Sequence, residues 1–245
     1  MEDVQIYALG NMTNSSSAMF ERRRRILEEA RKMIGEGGIE GFSIRELSKR
    51  AKVASRTLYN AFGSKDAIIA NAIRSYFESF ERKTSFSSDH GSFEGAFEHI
   101  VATTLRNCEV PNYVRAVAAI YFSPSLSANI REVLLVIGGY AWRPWLEALS
   151  VRRQMQQEVA FDDVLIDLSN IAFAKVHEWG LGTLTDEEFM NKSVEAQLLH
   201  LTGALRGAAR IEVLDTYLRW RREPEFRGAL LRDAAFRIEA LERMD

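Results

Sequence analysis

The sequence predicts an all-α protein in which a small three-helix domain near the N-terminus is joined to a larger helical body. From Asp66 onward, apolar residues recur at helical spacing, and no segment shows the alternation of a half-buried strand. Only four of the 245 residues are proline, so little interrupts the helices. Near the N-terminus, two short helical segments follow each other with a three-residue turn between them.

The first of these segments begins with a capping signal. Ser43 and Glu46 have the spacing of a capping box, in which each side chain bonds a free amide of the first turn. Leu47, in the same turn, continues an apolar face and is expected to be buried. The helical pattern ends at Ala51, and residues 52–54 carry the chain round the turn.

The second segment, residues 55–62, has an apolar and a polar face. Leu58 and Phe62 are four residues apart and are expected to point inward. Gly63 is expected to end this helix and Ser64 to cap the next one. Hydroxyl, guanidinium and amide groups occupy the other positions, namely Ser55, Arg56, Thr57, Tyr59 and Asn60. Such groups hydrogen-bond phosphates and base edges, so this helix is a candidate for a groove of DNA.

Charge is unevenly distributed along the chain. Residues 20–70 hold 12 Lys and Arg against 7 Asp and Glu, whereas the whole chain has a net charge of −2. From residue 81 onward, acidic residues outnumber basic ones by 24 to 19. A basic head on an acidic body is typical of a DNA-binding protein with a separate sensing or pairing module. The four arginines at 22–25 fit either a solvated helix start or contacts with a DNA backbone.

Two other interpretations of residues 42–65 stay open at this point. The segment also fits a compact helical hairpin whose polar face is merely solvated. It fits, too, an interaction module such as a co-regulator or adaptor that contacts protein, although the charges of Arg56 and Lys65 argue against it. Lys65 lies in the first turn of a helix, where the helix dipole disfavours a cation and a docked phosphate would offset the cost.

Residues 22–80 resemble the DNA-binding domain of the TetR family of transcriptional regulators. The resemblance is carried by Ile26, Ala30, Gly41-Phe42-Ser43-Ile44-Arg45-Glu46-Leu47, Ala51, Val53, Thr57-Leu58-Tyr59, Phe62 and Ser64-Lys65-Asp66. Lys52, Ala54 and Ala61 depart from the glycine, serine and histidine that are common in the family. Lys52 in a left-handed conformation would cost about 1 kcal/mol, and a slightly different turn is the alternative. Each alanine removes a possible phosphate or base contact.

The resemblance implies a cytoplasmic, homodimeric regulator that binds duplex operator DNA. It is expected to be a repressor, released from its operator by a small apolar or aromatic effector, with no cofactor or metal. Arg56, Thr57 and Asn60 are expected to contact base edges, while Ser43, Tyr59 and Lys65 hold phosphates. The full set of expected DNA-binding residues is Ser43, Arg45, Ser55, Arg56, Thr57, Tyr59, Asn60 and Lys65.

The expected organisation has three parts. These are a flexible arm at 1–19, a helix-turn-helix domain with its linking helix at 20–80, and a helical effector-binding and dimerisation domain at 81–245. The body helices are expected at about 93–107, 112–122, 126–149, 163–180, 186–207 and, split at 223–224, 210–245. The third of these is expected to be interrupted near Gly138 and Pro144. A capping box of Thr185 and Glu188 opens the fifth.

Aromatic and aliphatic residues of the body are expected to wall an effector cavity, although such residues at helical spacing also fit a plain core. The candidates are Phe97, Ile100, Tyr113, Val117, Tyr121, Phe122, Trp142, Phe173 and His177. His99 and His177 are candidates for orienting a ligand by hydrogen bonds, and a histidine satisfied within the core is the alternative.

The late helices carry a heptad-like seam. Val194, Leu198, Leu201 and Leu205 are spaced by four, three and four residues. This pattern fits a core helix of one chain. The resemblance to the TetR family implies instead a four-helix dimer bundle, formed by Val164, Leu168, Ile171, Val194, Leu198, Leu201 and Leu205.

Other classes of function lack their signals. The sequence holds no His-Glu-x-x-His, Cys-x-x-Cys, phosphate loop or Gly-x-Ser-x-Gly motif, so an enzyme is not expected. The single cysteine, Cys108, excludes an internal disulfide and fits a reducing cytoplasm. The longest apolar run, residues 133–142, is too short to span a bilayer, so no membrane partner is expected.

Overall fold

The computed structural model describes residues 14–242 except 85 and 87, and its regular elements are helices. They are α1 (Asn14–Gly37), α2 (Ile44–Arg50), α3 (Ser55–Phe62), α4 (Lys65–Lys83), α5 (Phe93–Glu109), α6 (Pro111–Tyr121), α7 (Ala128–Gly139), α8 (Arg143–Val151), α9 (Phe161–Gly180), α10 (Asp186–Ala204), α11 (Gly207–Arg222) and α12 (Pro224–Glu242). The predicted all-α fold class is confirmed. Residues 1–13 of the expected arm lie outside the described residues, and residues 14–19 begin α1.

The head, which we define as α1 to α4, forms around a small apolar centre. Leu47 of α2 and Leu58 of α3 are fully buried, as are Ala30 and Ile34 of α1. Ile68 and Ile69 of α4 close this centre from below. Because α2 and α3 are only seven and eight residues long, their stability depends on this packing rather than on helix propensity.

Side-chain caps fix where the helices begin. The Ser43 hydroxyl accepts from the Glu46 amide at 3.4 Å, but the Glu46 carboxylate accepts from Arg50 at 3.1 Å, so only half of the predicted capping box forms. The predicted box of Thr185 and Glu188 forms in both directions. Ser64 caps α4 as expected, accepting from the Ala67 amide at 3.0 Å.

The body packs α5 to α10 beneath the head. α4 packs against α7, and α1 packs against α6, so one apolar cluster continues from the head into the body. α7 and α9 cross closely because Gly138 faces Ser169, where an added Cβ would lie 2.7 Å from the serine Cβ. The predicted interruption falls between α7 and α8, and Pro144 lies in the first turn of α8.

The C-terminal segment forms the two predicted helices, which separate at Glu223. α11 packs on α10 and α12 on α5. Arg237 of α12 makes a 2.8 Å ion pair with Glu98 of α5, and Ile238 packs on Phe80 near the end of α4. The segment is therefore part of the body's core.

Metal binding, membrane insertion and thiol reactivity can each be assessed within the described residues. No group of His, Cys, Asp or Glu there has the arrangement of a metal site, and no helix there is long and apolar enough to cross a membrane. Burial raises the pKa of the Cys108 thiol to about 11, so it stays protonated near neutral pH. Its sulfur lies 3.7 Å from the Thr104 carbonyl oxygen, inside the helical body.

Candidate functional site

The polar face of α3 lies on the outside of the head. Leu58 points inward and is fully buried, whereas Ser55, Arg56 and Asn60 are exposed and Tyr59 is 47% exposed. Thr57 is half-buried between the two faces. Hydroxyl, guanidinium, phenol and amide groups therefore meet solvent along one short helix. The hydrogen-bond donors and acceptors of this helix are therefore accessible to a large polymer outside the head.

The turn between α2 and α3 is held by one serine. The Ser48 hydroxyl donates to the Val53 carbonyl at 2.5 Å, and the Val53 amide donates back to the Ser48 carbonyl at 3.0 Å. Lys52 has φ of 52°, so the left-handed turn expected at this position is present without glycine. Ala54 precedes α3 as its N-cap and offers no side-chain bond.

Two arginines of the run at 22–25 hold the hairpin from behind. Arg23 donates to the Ala61 carbonyl at 3.0 Å and stacks on the Phe62 ring at 4.3 Å, at the C-terminal end of α3. Arg25 donates to the carbonyl of Ala51, at the end of α2, at 3.1 Å. A cation at a helix C-terminus is favoured by the helix dipole. Neither of the roles expected for this run included such a contact.

The remaining predicted DNA-binding residues differ in their solvent exposure and in their contacts with the rest of the head. Arg45 and Ser43 are exposed on α2 and its cap. Lys65 is half-buried, and its ammonium lies 3.4 Å from the Ile39 carbonyl and 5.8 Å from the centre of the Phe42 ring. A phosphate contact by Lys65 would have to compete with that carbonyl.

A cavity of about 130 Å³ lies in the body beside α4. Its wall includes Ile73, Tyr76 and Phe77 of α4, so any occupant would contact the linking helix directly. The other lining residues are His99, Ile100, Thr103, Thr104, Asn107, Tyr113, Val114, Val117, Ile137, Gly138, Ala141, Ala172, Phe173, Val176, Phe189, Ser193 and Gln197.

The residues expected to bind an effector separate into two groups. Ile100, Tyr113, Val117 and Phe173 line the cavity. The others pack elsewhere: Tyr121 stacks on Phe173 at 4.4 Å, Phe122 and His177 contact each other at 5.2 Å, and Phe97 lies against Trp220 at 5.7 Å. Trp142 donates to the Gln197 amide oxygen at 2.8 Å. His99, the second histidine considered, does line the cavity.

The residues expected at a dimer interface lie inside one chain. Val164, Leu168, Val194, Leu198, Leu201 and Leu205 are at most 1% exposed, and Ile171 is half-buried. The first six pack in the lower core with Trp142 and Met155. This is the position that the core interpretation of the seam predicts. On the outer faces of α9 and α10, by contrast, Ile166 is 41% and Leu199 55% exposed.

Comparison with known proteins identifies the head. Residues 26–72 match the family described as bacterial regulatory proteins, tetR family. The chain carries a TetR-family helix-turn-helix domain. The predicted resemblance is thereby confirmed, and it rests on the residues that form the TetR-type hairpin, α2 and α3, and the helices packed on it.

Relatives extend this similarity unevenly. The chain is 37% identical over 75 residues to the HTH-type transcriptional repressor KstR of Rhodococcus jostii strain RHA1, a match that covers 31% of this chain and 35% of that protein. The matched segment thus spans about a third of the length of this curated relative. A match of this length leaves the ligand of the body open.

Solved structures share the fold of both parts. A putative TetR-family transcriptional regulator from Rhodococcus sp. superposes with a TM-score of 0.55 at 15% identity, covering 74% of this chain and 99% of that one. Thermus thermophilus FadR, a TetR-family repressor solved in complex with lauroyl-CoA, gives a TM-score of 0.53 at 16% identity, covering 76% and 97%. At this identity the likeness describes the TetR fold alone.

Proposed function

We propose that the chain is a DNA-binding transcriptional regulator, a repressor that a small molecule releases from its operator. The observation that carries this proposal is the exposed polar face of α3 within a TetR-family domain. The similarity to the repressor KstR over 75 residues supports the sign of regulation.

In the proposed interface, α3 enters the major groove. Arg56, Thr57 and Asn60 contact base edges, because guanidinium, hydroxyl and amide groups match the donors and acceptors displayed there. Ser43 and Tyr59 bind phosphates on either side, with Arg45 and Ser55 beside them. Lys65 joins them only if a phosphate displaces the Ile39 carbonyl from its ammonium.

The proposed dimer supplies two such helices to a two-fold operator. It uses the outer faces of α9 and α10, since the seam residues of those helices are buried in their own chain. Replacing both Ile166 and Leu199 by aspartate should convert the dimer to a monomer, as measured by light scattering after gel filtration. Val136→Asp on α7, at a side chain 51% exposed, is the control and should leave the dimer intact.

The proposed effector site is the cavity beside α4. Because Ile73, Tyr76 and Phe77 belong both to α4 and to the cavity wall, an occupant can favour one position of that helix over another. α4 also closes the centre of the head, so its movement would change the separation of the two α3 helices. The ligand must have a different affinity for the two states to do this.

Selection of bound duplexes from fragmented genomic DNA tests the function. We expect recovery of a shared, two-fold-related site, bound by the wild-type chain and not by the double variant Arg56→Ala, Asn60→Ala. Failure to recover any duplex would overturn the proposal and favour an adaptor that contacts protein.

A further inference from the structure

Several residues that line the cavity carry buried polar atoms without a hydrogen-bond partner in the described part of the chain. Five such side-chain atoms belong to these lining residues. They are the hydroxyls of Tyr76, Thr103, Tyr113 and Ser193 and Nδ1 of His99. Unsatisfied polar atoms are costly in an interior and are rarely left so without a reason. Their convergence on one cavity indicates that a ligand supplies the missing partners.

These five groups come from four helices. Tyr76 belongs to α4, His99 and Thr103 to α5, Tyr113 to α6 and Ser193 to α10. Between them the wall is aliphatic or aromatic, with Ile73, Ile100, Val117 and Phe173 among its members. An occupant therefore needs an apolar middle and hydrogen-bonding groups at more than one end.

The charge of the wall limits the occupant further. Among the described residues that line the cavity there is no Lys, Arg, Asp or Glu. A carboxylate or phosphate placed there would lose its water without a cation among the lining residues, which is unfavourable. The guanidinium of Arg31 lies 4.9 Å from the centre of the Tyr76 ring but does not line the cavity. Burial also raises the pKa of the Tyr113 phenol far above its ordinary value, so this group remains a neutral donor.

The surroundings of His99 indicate which kind of ligand group would bind beside it. Its Nε2 lies 2.6 Å from the carboxylate of Glu81, which is nearly buried at the end of α4. Nδ1 accepts a hydrogen bond in a neutral ring whose proton is on Nε2, and it donates one in a protonated ring, so a group that can both donate and accept suits either form. A hydroxyl fits, since it can also accept from a neighbouring tyrosine or threonine.

The volume sets the size. A cavity of about 130 Å³ is close to an engineered apolar cavity of about 150 Å³ that binds benzene. One six-membered ring with short substituents fits such a space, whereas a fused polycyclic system or a long acyl chain would have to extend beyond it.

We propose that the effector is a neutral, single-ring molecule that carries hydroxyl groups at opposite ends and is held by Tyr76, His99, Thr103, Tyr113 and Ser193. This inference rests on the proposed function, because it specifies the ligand of the proposed effector site. It separates this chain from Thermus thermophilus FadR, whose structure holds lauroyl-CoA. The phosphates of such a ligand would find no cation on this wall.

Calorimetric titration of the full chain with matched probes tests the inference. The probes are 4-hydroxybenzyl alcohol, p-xylene of the same ring size without hydroxyls, 4-hydroxybenzoate with a charge, and lauroyl-CoA. We expect 4-hydroxybenzyl alcohol to bind about 10-fold or more tightly than p-xylene, since two or more hydrogen bonds are gained. We expect no binding of the two anions. Absence of binding by 4-hydroxybenzyl alcohol at millimolar concentration, or tighter binding of either anion, would overturn the proposal.

Two variants locate the site. Tyr113→Phe and Ser193→Ala each remove a hydroxyl that has no protein partner, so the fold should be unaffected. Each should weaken 4-hydroxybenzyl alcohol binding about 3- to 10-fold and leave p-xylene binding unchanged. Tyr217→Phe, which removes a hydroxyl on α11 that accepts from Arg221, is the matched control and should change neither. Unchanged binding of the alcohol by both cavity variants would contradict the assigned contacts.

Duplex binding separates this inference from the function on which it rests. If the wild-type chain binds its selected duplex but not 4-hydroxybenzyl alcohol, the ligand class is wrong and the regulator stands. If it binds the alcohol through Tyr113 and Ser193 but no duplex, the cavity assignment stands and the proposed function fails.

Discussion

The head and the body place their polar groups in opposite ways. In the head, Leu58 is buried and the polar side chains of α3 lie in solvent around a small apolar centre. In the body, Tyr113 and Ser193 line a largely apolar cavity, and their buried hydroxyls have no partner among the described residues. The first arrangement suits a large, charged, hydrated partner that stays outside the fold. The second suits a small neutral partner that enters it.

The two regions are also expected to gain binding free energy in different ways. Contacts on the head gain affinity mainly by neutralising phosphates and releasing counterions, a term that salt weakens. Contacts in the cavity gain affinity by desolvation and by completing hydrogen bonds, which salt hardly affects. Four predictions, taken from the largest expected effect to the smallest, would break or sharpen this contrast.

Removing the support beneath the polar face should have the largest effect. Leu58→Ala deletes a fully buried side chain at the centre of the head and should lower the free energy of unfolding by about 2–5 kcal/mol. Denaturant titration followed by circular dichroism measures this, and duplex binding should be lost with it. Val151→Ala, at a side chain 85% exposed, should change stability by less than about 0.5 kcal/mol. Equal costs for the two variants would contradict the packing described for the head.

Overfilling the body tests the close crossing of α7 and α9. Gly138→Ala places a Cβ 2.7 Å from that of Ser169, and should cost about 1–3 kcal/mol of unfolding free energy. Gly203→Ala is the matched control, because a Cβ there meets nothing within 4 Å. It should be neutral or slightly stabilising. A neutral Gly138→Ala would show that the crossing relaxes without cost.

Truncating Arg56, an exposed residue in the first turn of α3, tests whether this side chain contacts a base. Arg56→Ala should weaken duplex binding by about 1–3 kcal/mol and relax the preference at one base position. Anisotropy titrations against a set of single-base variants of the selected site measure this. Arg152→Ala, an exposed cation of the body, should have no effect. Uniform weakening across all sequences would make Arg56 a phosphate contact instead.

The smallest effect concerns backbone strain, which the two regions share. Lys52 in the head has φ of 52° and Arg153 in the body φ of 55°. Replacement of either by glycine should raise the unfolding free energy by about 1 kcal/mol or somewhat less, because glycine relieves the strain but gains freedom in the unfolded chain. Calorimetric melting of both variants checks this. A loss of stability would show that the side chain makes contacts that outweigh the strain.

Local signals in the sequence predicted most of the head and several of the helix boundaries that depend on caps. Ser64, Gly63 and the Thr185–Glu188 box each act through neighbours a few residues away, so their spacing is sufficient. The left-handed conformation of Lys52 was one of two alternatives that the family resemblance left open. The half-formed box at Ser43 was not predicted, because Arg50 competes for Glu46 from the next turn.

Contacts between distant helices could not be predicted from spacing. The roles of Arg23 and Arg25 depend on where the ends of α3 and α2 fall in space. The heptad-like seam of α10 is the same pattern whether its partner is another chain or α9 and α11 of its own. Likewise, the sequence pattern predicted a place in the cavity wall for both Trp142 and Ile100. The packing of the helices places Trp142 against Gln197, and it places Ile100 in the cavity wall.

The salt dependence of duplex binding tests the central claim most directly. The claim is that the exposed face of α3 places the head on a nucleic acid, and the measurement is the anisotropy of the selected duplex at a series of salt concentrations. We expect log Kobs to fall linearly with log salt, with a slope of about −0.9 for each phosphate contacted. Binding that does not change with salt, or no binding at low salt, would contradict it.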